Sequence, residues 1–212
     1  YLIFLGCVHF LFSGTSKQGE AYEYFLKGEY EILHNNFRNA EKHYTKALSL
    51  SPGSPTILQS LVDLKSYQGK YPEAIQYLEK IMELEPGNKD SGLALYDLYI
   101  HKGDTTKAEL ILSSLLIYYP GDHDILFSRA NTQFSNQNWN DLLKTYRDIY
   151  LSDPSQKDLL IKIYDIGIAT NKIELVREIL WELKSDFKDH TIFELLIAIA
   201  NNSGEHDDAI DL

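Results

Sequence analysis

Apolar residues return along this chain at helical spacing, and the pattern they form returns as a block. Between residues 54 and 86 the stripe reads Leu58, Leu61 and Val62, then Ile75, Leu78 and Ile81. Steps of three and four residues predict two amphipathic helices, with Gly69 between them at the reversal. Pro52, Pro86, Pro120 and Pro154 stand 34 residues apart. The same step links Ala47, Ile81, Leu115 and Ile149. It also links the small column Ala40, Ala74 and Ala108, continued by Leu142, and the turn column Asn35, Gly69, Gly103 and Gln137. A fixed period of this length marks a repeat architecture, in which each unit covers the apolar face of its neighbour.

Each column has a physical reason. Proline cannot continue a helix, so the four prolines stop the second helix of each unit, and the glycines after three of them (Gly53, Gly87, Gly121) ease the turn. Gly69 and Gly103 fall where the first helix must end and reverse, a place suited to left-handed backbone. Alanine at 40, 74 and 108 leaves room for two helix backbones to approach. Each unit therefore reads as a helix–turn–helix hairpin, at about 20–52, 53–86, 87–120, 121–154 and 155–187, with a partial unit at 188–212.

This constellation resembles the tetratricopeptide repeat (TPR) family, with its 34-residue unit and its glycine, alanine, aromatic and proline marks. The match covers residues 20–154 and weakens afterwards. The aromatic column that opens the second helix reads Phe37, Tyr71, Thr105, Trp139 and Ile173, with Thr105 a departure. Lys27 and Glu31 stand where the family buries apolar residues. Val176 replaces the small residue of the fifth unit, Phe187 or Lys188 replaces its proline, and that unit is one residue short. Leu142 and Val176 are expected to push helices apart. The resemblance implies an all-α fold: a right-handed solenoid of antiparallel hairpins, about five full repeats plus part of a sixth.

In TPR proteins the first helix of each hairpin lines a concave groove that holds a peptide or a partner helix. Carried onto this chain, the family pattern gives a ladder of Glu29, Asp63, Asp97, Asn131 and Asp165. It is flanked by Tyr67, His101 and Phe134 on one side, and by Phe25 and Phe127 on the other. The implied partner is a protein or peptide segment bearing basic and apolar residues. A carboxylate clamp is not expected, because Phe25, Glu29, Gln59, Asp63, Leu93 and Asp97 stand where that branch of the family has Lys, Arg and Asn. The opposing reading is that the acids serve solubility or hydrogen-bond along the solenoid, and that the flanking phenylalanines pack internally.

Charge and composition narrow the choice. Acids outnumber bases 31 to 20, for a formal charge of −11. The sequence shows no basic cluster, which argues against nucleic acid as a partner. The one cysteine, Cys7, excludes an internal disulfide and a thiolate metal cluster. The histidines hold no pair at zinc-ligand spacing, and Asp122-His123-Asp124 and Gly204 to Asp208 read as helix starts rather than metal sites. With no phosphate loop or nucleophile elbow, the expectation is no enzyme activity and no cofactor.

Leu2 to Phe12 is uncharged and apolar, too short for a span of about 20 residues. It reads as the core of a secretory signal cut after Ser16, with an uncleaved anchor or a lipoprotein signal at Cys7 as alternatives. Membrane contact is expected through this segment alone. The chain opens on Tyr1 and closes at Leu212 inside a sixth hairpin, which predicts a longer parent. The function expected is a protein-interaction scaffold of the bacterial cell envelope, exported or periplasmic. The alternative is the recognition arm of an enzyme whose catalytic domain lies beyond Leu212. Self-association through the face left open at Leu212 is a further expectation.

Overall fold

A computed structural model of the chain describes residues 16–203. The signal-like segment and the start of the sixth second helix lie outside the described residues. All regular structure among the described residues is helical. In chain order the helices are α1 (Lys17–Leu33), α2 (Phe37–Leu50), α3 (Pro55–Tyr67), α4 (Tyr71–Leu84), α5 (Lys89–Lys102), α6 (Thr105–Tyr118), α7 (His123–Ser135), α8 (Trp139–Ser152), α9 (Asp158–Ala169), α10 (Ile173–Asp186) and α11 (His190–Ser203).

The punctuation works as the sequence implies. α2, α4, α6 and α8 each stop two residues before a column proline. The five residues at the hairpin reversals, Asn35, Gly69, Gly103, Gln137 and Asn171, are the described residues with left-handed φ, from 55° to 81°. Glycine takes that backbone freely and asparagine tolerates it, so Gln137 carries the strained member. Starts are set by side chains: Ser16, Asn88, Asp104 and Asp122 accept hydrogen bonds from the N–H groups three residues on. Asp122 of the Asp-His-Asp triplet therefore caps α7.

The chain divides into two compact units, residues 1–103 and 104–212. In the first, α1 packs on α2, α2 on α3, α3 on α4 and α4 on α5. Its core holds Ala40, Tyr44, Ala47, Ile57, Leu61 and Leu64, with Phe25, Phe37 and Tyr77 against them. Tyr44 fits because Gly28 faces it: a Cβ on Gly28 would stand 2.4 Å from the ring.

In the second unit a larger aliphatic core runs through α7 to α11, including Leu126, Leu143, Ile149, Leu160, Ile163, Leu180, Leu183 and Leu196. Leu142 and Val176 are fully buried. The bulk of Val176, expected to wedge its hairpin open, is absorbed from the other side. Gly167 on α9 has no side chain, and a Cβ there would stand 2.2 Å from Val176 Cγ2.

One column of the repeat carries polar groups inward at its first four places, Glu31, Lys65, Tyr99 and Gln133, and the same 34-residue step ends on Gly167. Lys65 is 2% exposed. Its Nζ donates to Glu41 Oε1 at 2.8 Å and pairs with Glu73. Burial works against the charge, but the two carboxylates outweigh it and hold the Lys65 ammonium above its usual range. Tyr99 donates its hydroxyl to Glu79. Gln133 Oε1 accepts from Thr145 Oγ1 at 2.8 Å. A buried polar group left alone costs about 1–3 kcal/mol. Lys65, Tyr99 and Gln133 are each matched by a partner from another helix, whereas Glu31 keeps one buried carboxylate oxygen without a hydrogen bond.

Candidate partner-binding groove

The ladder residues lie on the first helix of each hairpin: Glu29 on α1, Asp63 on α3, Asp97 on α5, Asn131 on α7 and Asp165 on α9. Asp63, Asp97, Asn131 and Asp165 are exposed, and Glu29 is half-buried. In the first unit, a pocket of about 420 Å³ is lined by Glu29, Ile32, Asn35, Phe37, Tyr44, Ser60, Asp63, Leu64 and Tyr67. It gathers three of the sequence-predicted groove residues, Glu29, Asp63 and Tyr67.

The two acids of this pocket differ in use. Glu29 Oε1 accepts from the Tyr44 hydroxyl at 2.6 Å and from Ser60 Oγ at 3.2 Å. Burial, and then the Glu29 carboxylate, push the Tyr44 hydroxyl far above its ordinary pKa. Glu29 thus serves the stacking of α1 on α2 and α3, the role the sequence reading offered as its alternative. Asp63 accepts from Gln59 Nε2 at 2.8 Å, a neighbour on its own helix, and its carboxylate faces water. The apolar wall is aromatic: Tyr67 is 73% exposed, with its ring centroid 4.8 Å from that of Phe37. On α5, His101 is exposed and meets Tyr71 edge-on at 5.8 Å.

In the second unit, Phe127 lies 6.1 Å from the His123 ring, and Phe134 meets Trp139 edge-on at 5.6 Å. Phe134 remains half-exposed. His123 itself is held by Ser152 Oγ at 3.1 Å and Gln156 Nε2 at 3.3 Å. Asp165 stands between the exposed Ile161 and Ile168 on α9. Phe25 differs from the other flanking residues: it is half-buried, 5.9 Å from the Tyr44 ring.

The sequence reading missed the Tyr44 and Ser60 hydroxyls on Glu29, which belong to other helices and carry no linear signal. It also found no basic cluster. The fold assembles one: Arg38, Lys42, Lys46 and Lys70 line a second pocket of about 940 Å³ in the first unit.

A family model described as a tetratricopeptide repeat matches residues 67–128. Solved structures share the fold. A tetratricopeptide repeat protein from Parabacteroides merdae is 18% identical with a TM-score of 0.57, covering 91% of this chain and 77% of its own. YrrB, described as a TPR protein with an unusual peptide-binding site, is 18% identical with a TM-score of 0.52, covering 80% and 87%. MamA from Desulfovibrio magneticus, residues 41 to the end, is 12% identical with a TM-score of 0.52, covering 80% and 98%. At these identities the likeness speaks for the fold alone. No curated protein matches the chain in sequence.

Proposed function

We propose that this chain, a tetratricopeptide repeat protein with an all-α solenoid fold, is an interaction scaffold that holds a basic, partly apolar segment of another protein. The observation that carries this reading is the pocket of the first unit, where the exposed Asp63 carboxylate stands beside the exposed Tyr67 ring and its Phe37 neighbour. An aromatic wall takes the apolar side chains and the carboxylate selects a cation next to them. Asp97 beside Ile100, and Asp165 between Ile161 and Ile168, offer the same combination on α5 and α9. A peptide-binding site in another protein of this fold, YrrB, is consistent with such use.

The test is a titration of fluorescent peptides in which Lys or Arg adjoins Leu or Phe, read by anisotropy. Asp63→Lys and Tyr67→Ala should each weaken binding about tenfold, while a peptide with Gln in place of the cations should bind weakly to all forms. Equal affinity of both variants and the unaltered chain would remove the pocket from the function. The export reading rests on the uncharged run Leu2 to Phe12. A phosphatase reporter active only outside the cytoplasm, fused after residue 17, tests it: no activity refutes an envelope location.

A further inference from the structure

We propose a second docking surface, on the outer side of α2, that takes a short acidic segment of a partner protein. Arg38, Lys42 and Lys46 stand at i, i+4 and i+8 on α2, and Lys70 joins them from the turn before α4. All four are exposed around the pocket of about 940 Å³, with Thr45 and Ser49 as hydroxyl neighbours. Arg38 and Lys42 have no acidic partner among the described residues. The one acid in the pocket, Glu41, is occupied: its Oε1 takes Lys65 at 2.8 Å and its Oε2 lies 3.9 Å from Lys70.

The repeat fold does not require this row. The positions of Arg38, Lys42 and Lys46 are Pro72, Gln76 and Lys80 in the second hairpin, and Thr106, Leu110 and Ser114 in the third. They become Asn140, Lys144 and Asp148, then Glu174, Glu178 and Glu182, in the fourth and fifth. A concentration of cations in one repeat of a chain with charge −11 is a local feature, and its complement is an anion.

Geometry selects the kind of anion. Four residues of helix advance about 6 Å, so the three cations form a row about 12 Å long. Carboxylates on alternate residues of an extended peptide repeat at about 6.6 Å and match that pitch. A single-stranded nucleic acid needs aromatic platforms for its bases, and this pocket offers only the half-buried edge of Phe37. In physiological salt the Debye length is about 8 Å, so the row acts on a docked peptide while distant acids are screened. Phe37 borders both pockets, but the acidic one and the basic one share no charged residue, so this surface is independent of the proposed groove.

The experiment uses the full chain and a fluorescent peptide of about 12 residues with Glu at alternate positions. Its controls are the same peptide with Gln, an oligonucleotide of similar length, and the basic peptide of the groove test. The Glu peptide should bind and the Gln peptide should not. Arg38→Gln/Lys42→Gln/Lys46→Gln should weaken binding about tenfold, and raising the salt to about 1 M should abolish it. Lys144→Gln/Lys162→Gln/Lys188→Gln, with the same change in net charge, should leave binding unaltered. Equal loss in both triple variants, no binding by the unaltered chain, or tighter binding of the oligonucleotide would overturn the proposal. So would dimerisation of the unaltered chain that is lost in Lys42→Glu and returns on mixing Lys42→Glu with Glu178→Lys, which would make the row a contact between copies. Loss of the basic peptide with retention of the Glu peptide would sink the groove alone.

Discussion

In residues 16–103 a buried ring, Tyr44, and a buried cation, Lys65, join an aliphatic core, whereas in residues 104–203 the core is mainly Leu, Ile and Val and none of the described residues is a buried cation. Tyr44 lies against Gly28 with its hydroxyl on Glu29, and Lys65 is clasped by Glu41 and Glu73. In the second unit Val176 lies against Gly167 in a core shared with Leu160, Leu180 and Leu183, and the unit's buried polar contacts include the neutral pair Thr145–Gln133 and Tyr150 on the Asp189 carboxylate. Both arrangements satisfy the same 34-residue step. What the step fixes is the backbone path, and each unit is free to fill the interior with directional contacts or with apolar volume. The first unit is also the one whose surface carries the two pockets described above.

The largest expected effect tests the aliphatic side of this contrast. Leu160 is fully buried, and truncation to alanine loses transfer energy and leaves a cavity, for about 3 kcal/mol. Both tryptophans, Trp139 and Trp181, lie in the second unit, so their fluorescence in urea reports that unit, while far-UV circular dichroism reports both. Leu160→Ala should shift the tryptophan transition to lower urea and leave a residual dichroism transition in place. A single transition by both probes, shifted together, would show that the two units unfold as one and would blunt the comparison.

Next comes the glycine–valine contact. Alanine is a better helix former than glycine by about 1 kcal/mol, but at 167 the added methyl meets the stiff, branched Val176, and overpacking costs about 1–3 kcal/mol. Since the clash distance is 2.2 Å, overpacking wins: Gly167→Ala should destabilise by about 2 kcal/mol. Adding Val176→Ala should recover most of it, because the pair then has the small residue on the other helix, as Ala40, Ala74 and Ala108 do. Failure of the second change to rescue the first would mean that α9 and α10 are not matched through this pair.

These two cases show what the sequence could convey. The hairpins, the left-handed turn column and the proline stops are backbone events, decided within a few residues, and they are legible in a linear pattern. Gly167 and Val176 are each anomalous when read alone. They explain each other only once two helices are laid together. The polar column is harder still. Lys65 shares its place with Glu31, Tyr99 and Gln133, and its partners Glu41 and Glu73 lie on α2 and α4, so a stripe of apolar residues gives no sign that it is buried. For the same reason the ladder acids looked alike in sequence, while the structure separates Glu29, bound to Tyr44 and Ser60, from the free-facing Asp63. The row Arg38, Lys42 and Lys46 was present in the spacing, but it becomes a cluster only when Lys70 closes it.

Both units hold a tyrosine against a carboxylate, and alkaline pH should expose the pairs. Burial and the Asp189 carboxylate, which accepts from the Tyr150 hydroxyl at 3.2 Å, push Tyr150 up to about 12; Tyr44 is pushed up as well. A raised folded pKa means that the contribution is complete below the unfolded value near 10 and is lost as pH climbs through the folded one. Stability should therefore fall between pH 10 and about 12 by on the order of 1–2 kcal/mol for Tyr150. Tyr150→Phe should flatten this fall in the tryptophan signal, and Tyr44→Phe should flatten it only in the remaining dichroism. If neither does so, the hydroxyl–carboxylate contacts contribute little in water.

The smallest change expected is the one that looks most drastic, replacement of the buried cation. Lys65→Met keeps the stem of the side chain and removes the charge. Desolvating an ammonium is costly, and exchange of a buried ion pair for apolar volume is often neutral or favourable. Glu41 and Glu73 retain 34% and 47% side-chain exposure, so water takes over their hydration once the cation is gone. Stability should change by less than about 1 kcal/mol in either direction at neutral pH. The pH dependence should change more. The Lys65 contact holds Glu73 below its usual range. Its contribution is therefore present above the ordinary carboxylate pKa and disappears as pH falls below about 4. Lys65→Met should remove that acid sensitivity from hydrogen exchange in α3 and α4. A loss above about 3 kcal/mol at neutral pH would instead mark the clasp as the main tie between the first two hairpins. The first unit would then differ from the second in what holds it together, and not only in what fills it.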